Sequence, residues 1–475
     1  MTDPVVLEKR AAPASGPLPR MQKPSAGRER LAPGADHAPT SLHRIVIVGG
    51  GAGGLEVATK LGDKLGRRNK ARVMLVDRAR RHIWKPMLHE VAAGSLDPAS
   101  HALDYMAQSH WHSFHFRLGE MVALDREKRL VAVAPFVDDD GMQLTPARTI
   151  PYDTLVLAFG SQSNDFGTPG VKEYALRLET VKDADRFHSI LVSNCIRANA
   201  QAEPLRDEQL KIAVIGAGAT GVELAAELHY ALRQFIEYGL DRIDAERDIH
   251  IHLIEAAPRI LPGLSAQMSE ATHKQLDDLG IKVHVASKVA EVLPSGVKLA
   301  DGSVIAAEMI VWAAGVKAAD ATKEFGLAVN RINQIVVKPT LQSVDDENIF
   351  AIGDCAACEW AGKKGVMVPP RAQSAHQMAS HVCKQILRKL DGKPLTPWAY
   401  QDFGSLVSIS EYSTVGNLMG GALGGNLYFQ GYLARLMYIA LHKMHDLALH
   451  GVWKVGLDTA AGMFGGRTSA RVKLH

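Results

Sequence analysis

The sequence predicts an α/β protein with two Rossmann-like dinucleotide-binding domains and C-terminal amphipathic helices. Two glycine fingerprints stand 167 residues apart, each after a short β-branched run, and each is followed by an acid that closes the next apolar run. At about 150 residues per domain, 475 residues accommodate two to three domains. Hydrophobic residues make up 47% and charged residues 22%. That balance supports a sizeable core and excludes bulk disorder, a collagen-like repeat and a disulfide scaffold. The four cysteines (Cys195, Cys355, Cys358, Cys383) are too few to staple such a chain, so a reducing compartment is expected. No run approaches about 18 uninterrupted apolar residues, so no transmembrane helix is predicted and any membrane contact must come from a surface.

Residues 1–44 hold 7 of the 22 prolines, with seven Lys/Arg against four Asp/Glu. No apolar stretch follows the early charges, so the segment does not read as a secretory signal. Its few apolar groups cannot offset the entropy of ordering, and a basic, Pro-rich disordered arm is expected over 1–43. The arm reads as a solvated tail, with attraction to an anionic membrane as the alternative.

Ile45–Val48 has the composition of a buried parallel strand. Gly49, Gly51 and Gly54 then supply G-x-G-x-x-G, and a helix is expected from about Leu55 to Lys64. The first glycine permits the tight turn, the second admits a pyrophosphate to the backbone at a helix N-terminus, and the third lets helix and strand pack closely. The strand Val73–Val76 ends in Asp77, whose carboxylate can accept from ribose hydroxyls. Asp77 lies 28 residues after Gly49, so a lengthened basic loop is expected between Lys64 and Arg72.

The pattern recurs after Lys211, with Gly216, Gly218 and Gly221, a helix over Val222–Tyr230, and the strand Ile249–Ile254 ending in Glu255. The separation of 39 residues implies a helical insert over about Ala231–Arg247. Two fingerprints imply two bound dinucleotides; the bland alternative is one working site and one relic fold. A carboxylate at Glu255 favours NADH, because it bonds two ribose hydroxyls and repels a 2′-phosphate. Arg259 lies close enough to complicate this, although it reads better as a surface or helix-start residue.

Three further strand-glycine units follow: Tyr152–Gly160, Ile310–Gly315, and Asn348–Ala356 with Gly353-Asp354 at an expected helix start. The set resembles the flavoprotein superfamily with two dinucleotide-binding domains. The resemblance implies an FAD domain split over 44–165 and 330–390 around an inserted NADH domain at 166–329. It implies that Gly49, Gly51, Ala52, Gly53, Gly54, Asp77, Lys85, Ala158, Gly160, Gly353 and Asp354 hold FAD. It also implies that Gly216, Gly218, Ala219, Thr220, Gly221, Glu255 and Gly315 hold NADH. A disulfide reductase of this superfamily carries redox cysteines in the first helix, and that place is empty here. Cys355 and Cys358 form C-x-x-C, which suits a low-pKa dithiol, half of a metal site, or two small residues packing a helix. The packing reading is preferred and no metal is expected.

In Pro369-Pro-Arg-Ala-Gln-Ser-Ala-His-Gln-Met378, Gln373 and Gln377 fall on one helix face. Ala372, Ala375 and Ala379 keep the neighbouring surface small. A flat ring lying there with its carbonyls on the amides is one reading; a helix packing its alanines against the sheet, with solvent-facing glutamines, is the other.

Ala372-Gln-Ser-Ala-His-Gln377 is similar to the A-Q-x-A-x-Q element of the type II NADH dehydrogenases, single-subunit NADH:quinone oxidoreductases. Further matching segments are Trp84–Ser95, Ser163–Val171, Gly218–Leu224, Val311–Val316 and Val472–His475. The resemblance covers nearly all of the chain after residue 43 and is closest to the enterobacterial type. It implies a quinone pocket at Gln373 and Gln377, with Gln373 also against FAD. Glu179, which alone reads as a surface charge, is implied to assist proton delivery. Phe403 stands where some bacterial members carry Lys, which puts any role of that cation in doubt.

Residues 431–475 carry six Lys/Arg against two Asp/Glu. Tyr432–Leu449 reads as an amphipathic helix and Val452–Met463 as a second. Such a face suits a bilayer interface, the protein's own core or a dimer face. A lipid-soluble quinone favours the bilayer, and 391–475 is expected to be the membrane-associating region. The resemblance implies a peripheral homodimer on the cytoplasmic face of a bacterial plasma membrane, with no nucleic-acid partner. The expected activity is NADH:quinone oxidoreduction without proton pumping, since no membrane-embedded ionisable chain exists. The rivals are a sulfide:quinone reductase, a disulfide or ferredoxin reductase, and a flavin-bound redox sensor.

Overall fold

The computed structural model describes residues 41–418, 427–431 and the single positions 434, 437 and 472. The expected arm falls almost wholly outside the described residues, as do the helices expected over 432–449 and 452–463. In chain order, the first elements that build the site are β1 (His43–Val48), α1 (Ala52–Leu61), β2 (Ala71–Asp77), α2 (Leu88–Ala93), β3 (His115–Leu118), β4 (Thr154–Leu157), β5 (Gln162–Ser163) and α3 (Val181–Ala200). The next are β6 (Lys211–Ile215), α4 (Ala219–Glu237), β7 (His250–Ile254), β8 (Lys282–His284), β9 (Met309–Trp312), β10 (Val316–Lys317), β11 (Ile349–Ala351) and α5 (Ala372–Leu390). Then come β12 (Ser405–Ile409), β13 (Ser413–Leu418) and β14 (Leu427–Gln430).

The first sheet runs β11-β4-β1-β2-β3, all parallel. Its central strands are buried on both faces, which is why they read as continuous apolar runs rather than alternating ones. After β4 the chain leaves this sheet, builds a second parallel sheet in the order β8-β7-β6-β9, and returns to add β11. The two crossings are tied together, because β5 pairs antiparallel with β10. Leu88, Val91 and Ala92 of α2 share a core with Phe187 and Leu191 of α3 and Leu228 of α4. A helix from the first unit is thus buried against the second.

Several boundaries differ from expectation for identifiable reasons. The stretch after α1 is not a simple loop; the helix continues through a π-turn at Gly62–Gly66 before turning at 67–70. The expected insert after the second fingerprint is mostly α4 itself, which runs unbroken to Glu237, with a short helix at Ala245–Asp248. No long helix begins at Gly353-Asp354: Gly353–Cys355 is a single 3-10 turn leading into the short strand Ala356–Ala357. The helix starts only at Ala372, after Pro369 and Pro370. The sequence reading did not anticipate the antiparallel sheet β12-β13-β14. Val407, Ile409 and Val415 of this sheet join the core around α4.

Candidate active site

The two fingerprint loops are built alike. Gly49 adopts φ +98° and Gly216 φ +101°, backbone conformations that side chains with a Cβ rarely take. A Cβ on Gly54 would lie 1.8 Å from the Gly49 carbonyl oxygen, and one on Gly221 would lie 1.9 Å from that of Gly216. Gly51 and Gly218 instead face open space. The acids are placed alike too. Asp77 accepts from the Gly50 N–H at 2.6 Å and the Ala79 N–H at 2.7 Å. Glu255 accepts from the Ala217 and Ala257 N–H groups, both at 2.8 Å. Burial pushes the Asp77 carboxyl above its ordinary value, against those two N–H bonds. Arg259 donates to the carbonyls of Leu261, Pro262 and Leu264, so its guanidinium braces its own loop.

At the C-terminal edge of the first sheet, residues from five segments converge. Lys85, on a 3-10 turn at Lys85–Met87, donates to the Ser161 carbonyl at 2.7 Å. The Ser161 hydroxyl donates to Asp354 at 2.7 Å, and Gln334 donates to the Asp354 carbonyl at 2.8 Å. Burial lowers the Lys85 ammonium below its usual range, opposed by the charges of Glu179 and Asp354. Glu179 immediately precedes α3, whose start is fixed by a reciprocal cap between Thr180 and Asp183. Its carboxylate accepts from the Ser163 N–H at 2.8 Å, on the crossing strand β5. Glu179 is therefore anchored beside the crossing rather than being a free surface charge. Ala158, Gly160 and Gly353 line the same edge, and the glycines take φ +72° and +68°.

Gln373 and Gln377 both lie on the first two turns of α5. The carbonyl of the Gln373 amide accepts from the Tyr400 hydroxyl at 2.7 Å. The Gln377 amide is spent at both ends on the Gln401 backbone, donating to its carbonyl at 2.8 Å and accepting from its N–H at 3.0 Å. The alanines dock the helix, as one reading expects, but on α1 rather than on the sheet. Ala375 and Ala379 are buried, and a Cβ on Gly53 would meet the Ala375 carbonyl at 3.2 Å, so α5 lies tightly on α1. The same contact holds Glu56 of α1, 2% exposed. Glu56 accepts from Lys60 at 2.5 Å and Ser380 at 2.8 Å and pairs with His376 at 2.6 Å. Burial works to raise this carboxyl, but the bonds and charges of His376 and Lys60 prevail and hold it below its ordinary value.

The cysteines are free and buried. Burial pushes the Cys355 thiol up to about 12 and that of Cys358 to about 11, which suits packing rather than thiolate chemistry. Cys355 packs the sheet edge rather than a helix, bonding the carbonyls of Leu157 and Ile352. Among the described residues no cluster of ligating side chains forms a metal site.

These residues fit a dinucleotide at each fingerprint. Each helix start leaves backbone N–H groups without intrahelical partners, next to a glycine with open space and an acid held by backbone N–H groups. Sequence reasoning missed Tyr105, whose hydroxyl donates to the Gly50 carbonyl at 2.8 Å, as well as Tyr400, Ser161, Glu56 and Phe166. Phe166 is two-thirds exposed and lies against Gly315. Glu56 had a signal, a lone charge inside Leu55-Glu-Val-Ala58; Tyr400 had none.

Residues 43–379 match the family described as pyridine nucleotide-disulphide oxidoreductase. The chain is 42% identical over 447 residues to the type II NADH:quinone oxidoreductase of Haemophilus influenzae, covering 91% of this chain and 100% of that one. It is 28% identical to the Mycobacterium tuberculosis enzyme of the same name, over 85% of this chain and 84% of that one. A solved structure of NDH2 from Plasmodium falciparum in complex with NADH shares the fold, with a TM-score of 0.75, 18% identity, and coverage of 91% of this chain and 100% of that one. On these grounds the chain belongs to the type II NADH:quinone oxidoreductases of the pyridine nucleotide-disulphide oxidoreductase family.

Proposed function

We propose that the convergent edge of the first sheet and the start of α5 form one reaction centre, with NADH delivered from one side and quinone from the other. The enzyme is an FAD-dependent NADH:quinone oxidoreductase: NADH is oxidised to NAD⁺, quinone is reduced to quinol, and one proton is taken up. FAD supplies the two-electron redox chemistry, while the chain supplies orientation and electrostatics.

In this reading residues 44–165 and 330–390 form the FAD domain and 166–329 the NADH domain. Gly49, Gly51, Ala52, Gly53, Gly54 and Asp77 hold the pyrophosphate and ribose end of FAD. Lys85, Ala158, Gly160, Gly353, Asp354 and Gln373 hold its ring end. Gly216, Gly218, Ala219, Thr220, Gly221, Glu255 and Gly315 hold NADH. Both Glu255 oxygens accept backbone N–H groups, which fixes the orientation of the side chain beside the ribose, where an acid disfavours a 2′-phosphate.

The observation that carries the acceptor assignment is the Tyr400–Gln373 hydrogen bond. With the Gln373 carbonyl engaged, its NH₂ is oriented as a donor for a quinone carbonyl. Gln377 acts one step removed, by pinning the Gln401 backbone and so the segment that carries Tyr400. Glu179, adjoining both the Lys85 charge and the crossing strand, serves as the proton relay. Residues 391–475 form the membrane-associating region of a peripheral homodimer on the cytoplasmic face. Among the described residues no helix is long and apolar enough to cross a membrane.

Gln373→Leu tests the pocket. NADH-dependent bleaching of the flavin absorbance stays intact while the quinone KM rises roughly tenfold, the loss of about 1.4 kcal/mol. An unchanged quinone KM would reject the assignment.

A further inference from the structure

One exposed hairpin lies next to the quinone-side residues and has no role in the account so far. Glu359 bridges Met367 antiparallel, the Trp360 N–H donates to the Val366 carbonyl at 2.7 Å, and the Gly365 N–H donates to the Glu359 carboxylate at 2.7 Å. These bonds close a tight tip, Ala361-Gly-Lys-Lys-Gly365, every residue of which is exposed. Its side chains pair charge with apolar surface. Lys363 sits 3.4 Å above the Trp360 ring, Lys364 is beside it, and Val366 and Met367 are 45% and 50% exposed. The only acid in the hairpin, Glu359, is folded back onto its own backbone.

The hairpin connects to the pocket through rings. Trp360 meets Tyr400 edge to face at 4.8 Å, and Tyr400 donates to Gln373. Phe403, three residues beyond Tyr400, adds a further exposed apolar side chain at 53%. A rim of exposed Val, Met and Phe carrying two lysines, backed by the partly buried Trp360, has the composition of an interfacial membrane contact. Its apolar groups enter the headgroup boundary and the cations meet anionic lipid.

We propose that the Trp360–Met367 hairpin, with Phe403, is a lip that docks on the surface of an anionic phospholipid bilayer and opens the Gln373 pocket directly to the lipid. The proposal rests on the quinone assignment above and adds the 360–367 hairpin to the membrane contact of the C-terminal segment, to which Phe403 belongs. It gives the acceptor a path that never crosses bulk water.

The buried native cysteines make a site-specific test practical. A polarity-sensitive thiol dye is attached to the full-length holoenzyme carrying Met367→Cys, and in parallel to Met142→Cys, a position 65% exposed on a different hairpin. On adding vesicles of phosphatidylcholine and phosphatidylglycerol, emission shifts to the blue at position 367 and stays put at 142. Lys363→Gln with Lys364→Gln weakens co-sedimentation with these vesicles roughly tenfold. It raises the KM for a long-chain quinone held in them and leaves turnover with a water-soluble short-chain quinone unchanged. Co-sedimentation without a shift at 367, or no co-sedimentation at all, would overturn the lip. Failure of the wild type to reduce the short-chain quinone would overturn the quinone assignment instead, whatever the dye reports.

Discussion

Glu56 and Glu223 each follow the third glycine of their fingerprint by two residues, on helices that open the same way, and both are buried. Their surroundings are opposite. Glu56 is met by His376 and Ser380, because α5 lies across α1, and by Lys60 one turn along α1 itself. Glu223 is met by the Ser408 N–H at 3.1 Å and by the charges of Glu90 and Glu227, because the sheet β12-β13-β14 and α2 cover α4. Glu56 is held below its ordinary value, whereas burial pushes Glu223 up to about 8. The fingerprint dictates the loop and the position of the glutamate; what packs on the helix dictates its charge. The starts of the helices differ in the same sense. Gly53 of α1 is buried under α5, while Ala219 and Thr220 of α4 are exposed. A covered site suits a resident cofactor and an open one suits a substrate that comes and goes.

The strongest way to break this comparison is to put a side chain at the third glycine of each loop. Gly54→Val drives a Cβ into the Gly49 carbonyl and yields protein without flavin, read as loss of absorbance near 450 nm. Gly221→Val keeps the flavin and raises the NADH KM about a hundredfold, equivalent to about 2.7 kcal/mol. Loss of flavin in both variants would show that the two folds do not work independently.

A smaller effect is expected at the second acid. Glu255→Ala removes the partner of two backbone N–H groups and the acid proposed to face the ribose. It raises the NADH KM roughly tenfold and narrows the preference over NADPH, equivalent to about 1.4 kcal/mol. An unchanged ratio of kcat/KM for the two nucleotides would contradict the assignment.

Effects on stability rather than on nucleotide binding sharpen the glutamate pair. Glu56→Gln leaves a polar group in place of a charged acceptor and costs about 2 kcal/mol of stability near pH 7. With its folded pKa depressed, the stability that Glu56 contributes is present above the unfolded value, 4.5, and is lost as pH falls through the folded value. The Glu56→Gln variant therefore converges on wild type in acid. Glu223 has the opposite sign. Its folded state binds the extra proton, so stability is full below 4.5 and is lost as pH rises toward about 8. Glu223→Gln removes that loss, and thermal midpoints measured from pH 5 to 9 fall less steeply than those of wild type. Parallel profiles for the two variants would refute the contrast.

The loops and the acids were legible in the sequence because glycine sterics and buried parallel strands leave short, local signatures, whereas the split of the first domain came from resemblance. The quinone side was legible mainly through resemblance. Spacing put Gln373 and Gln377 on one face of α5, but it did not reveal that Gln377 is spent on the Gln401 backbone or that Ala375 docks on Gly53. Those contacts join segments with no shared periodicity. Glu56 and His376 are 320 residues apart, and Tyr400 belongs to an irregular stretch. The sheet β12-β13-β14 lies before both expected C-terminal helices, and its strands of four to six residues are too short to carry a strong periodic signal.

Anaerobic mixing of the yellow protein with NADH, followed by mixing with quinone, tests the central claim of one reaction centre served from two sides. The account predicts rapid bleaching near 450 nm by NADH, far slower bleaching by NADPH, and return of the absorbance on quinone at least as fast as steady-state turnover. A flavin that NADH reduces but quinone does not reoxidise at a competent rate would contradict it.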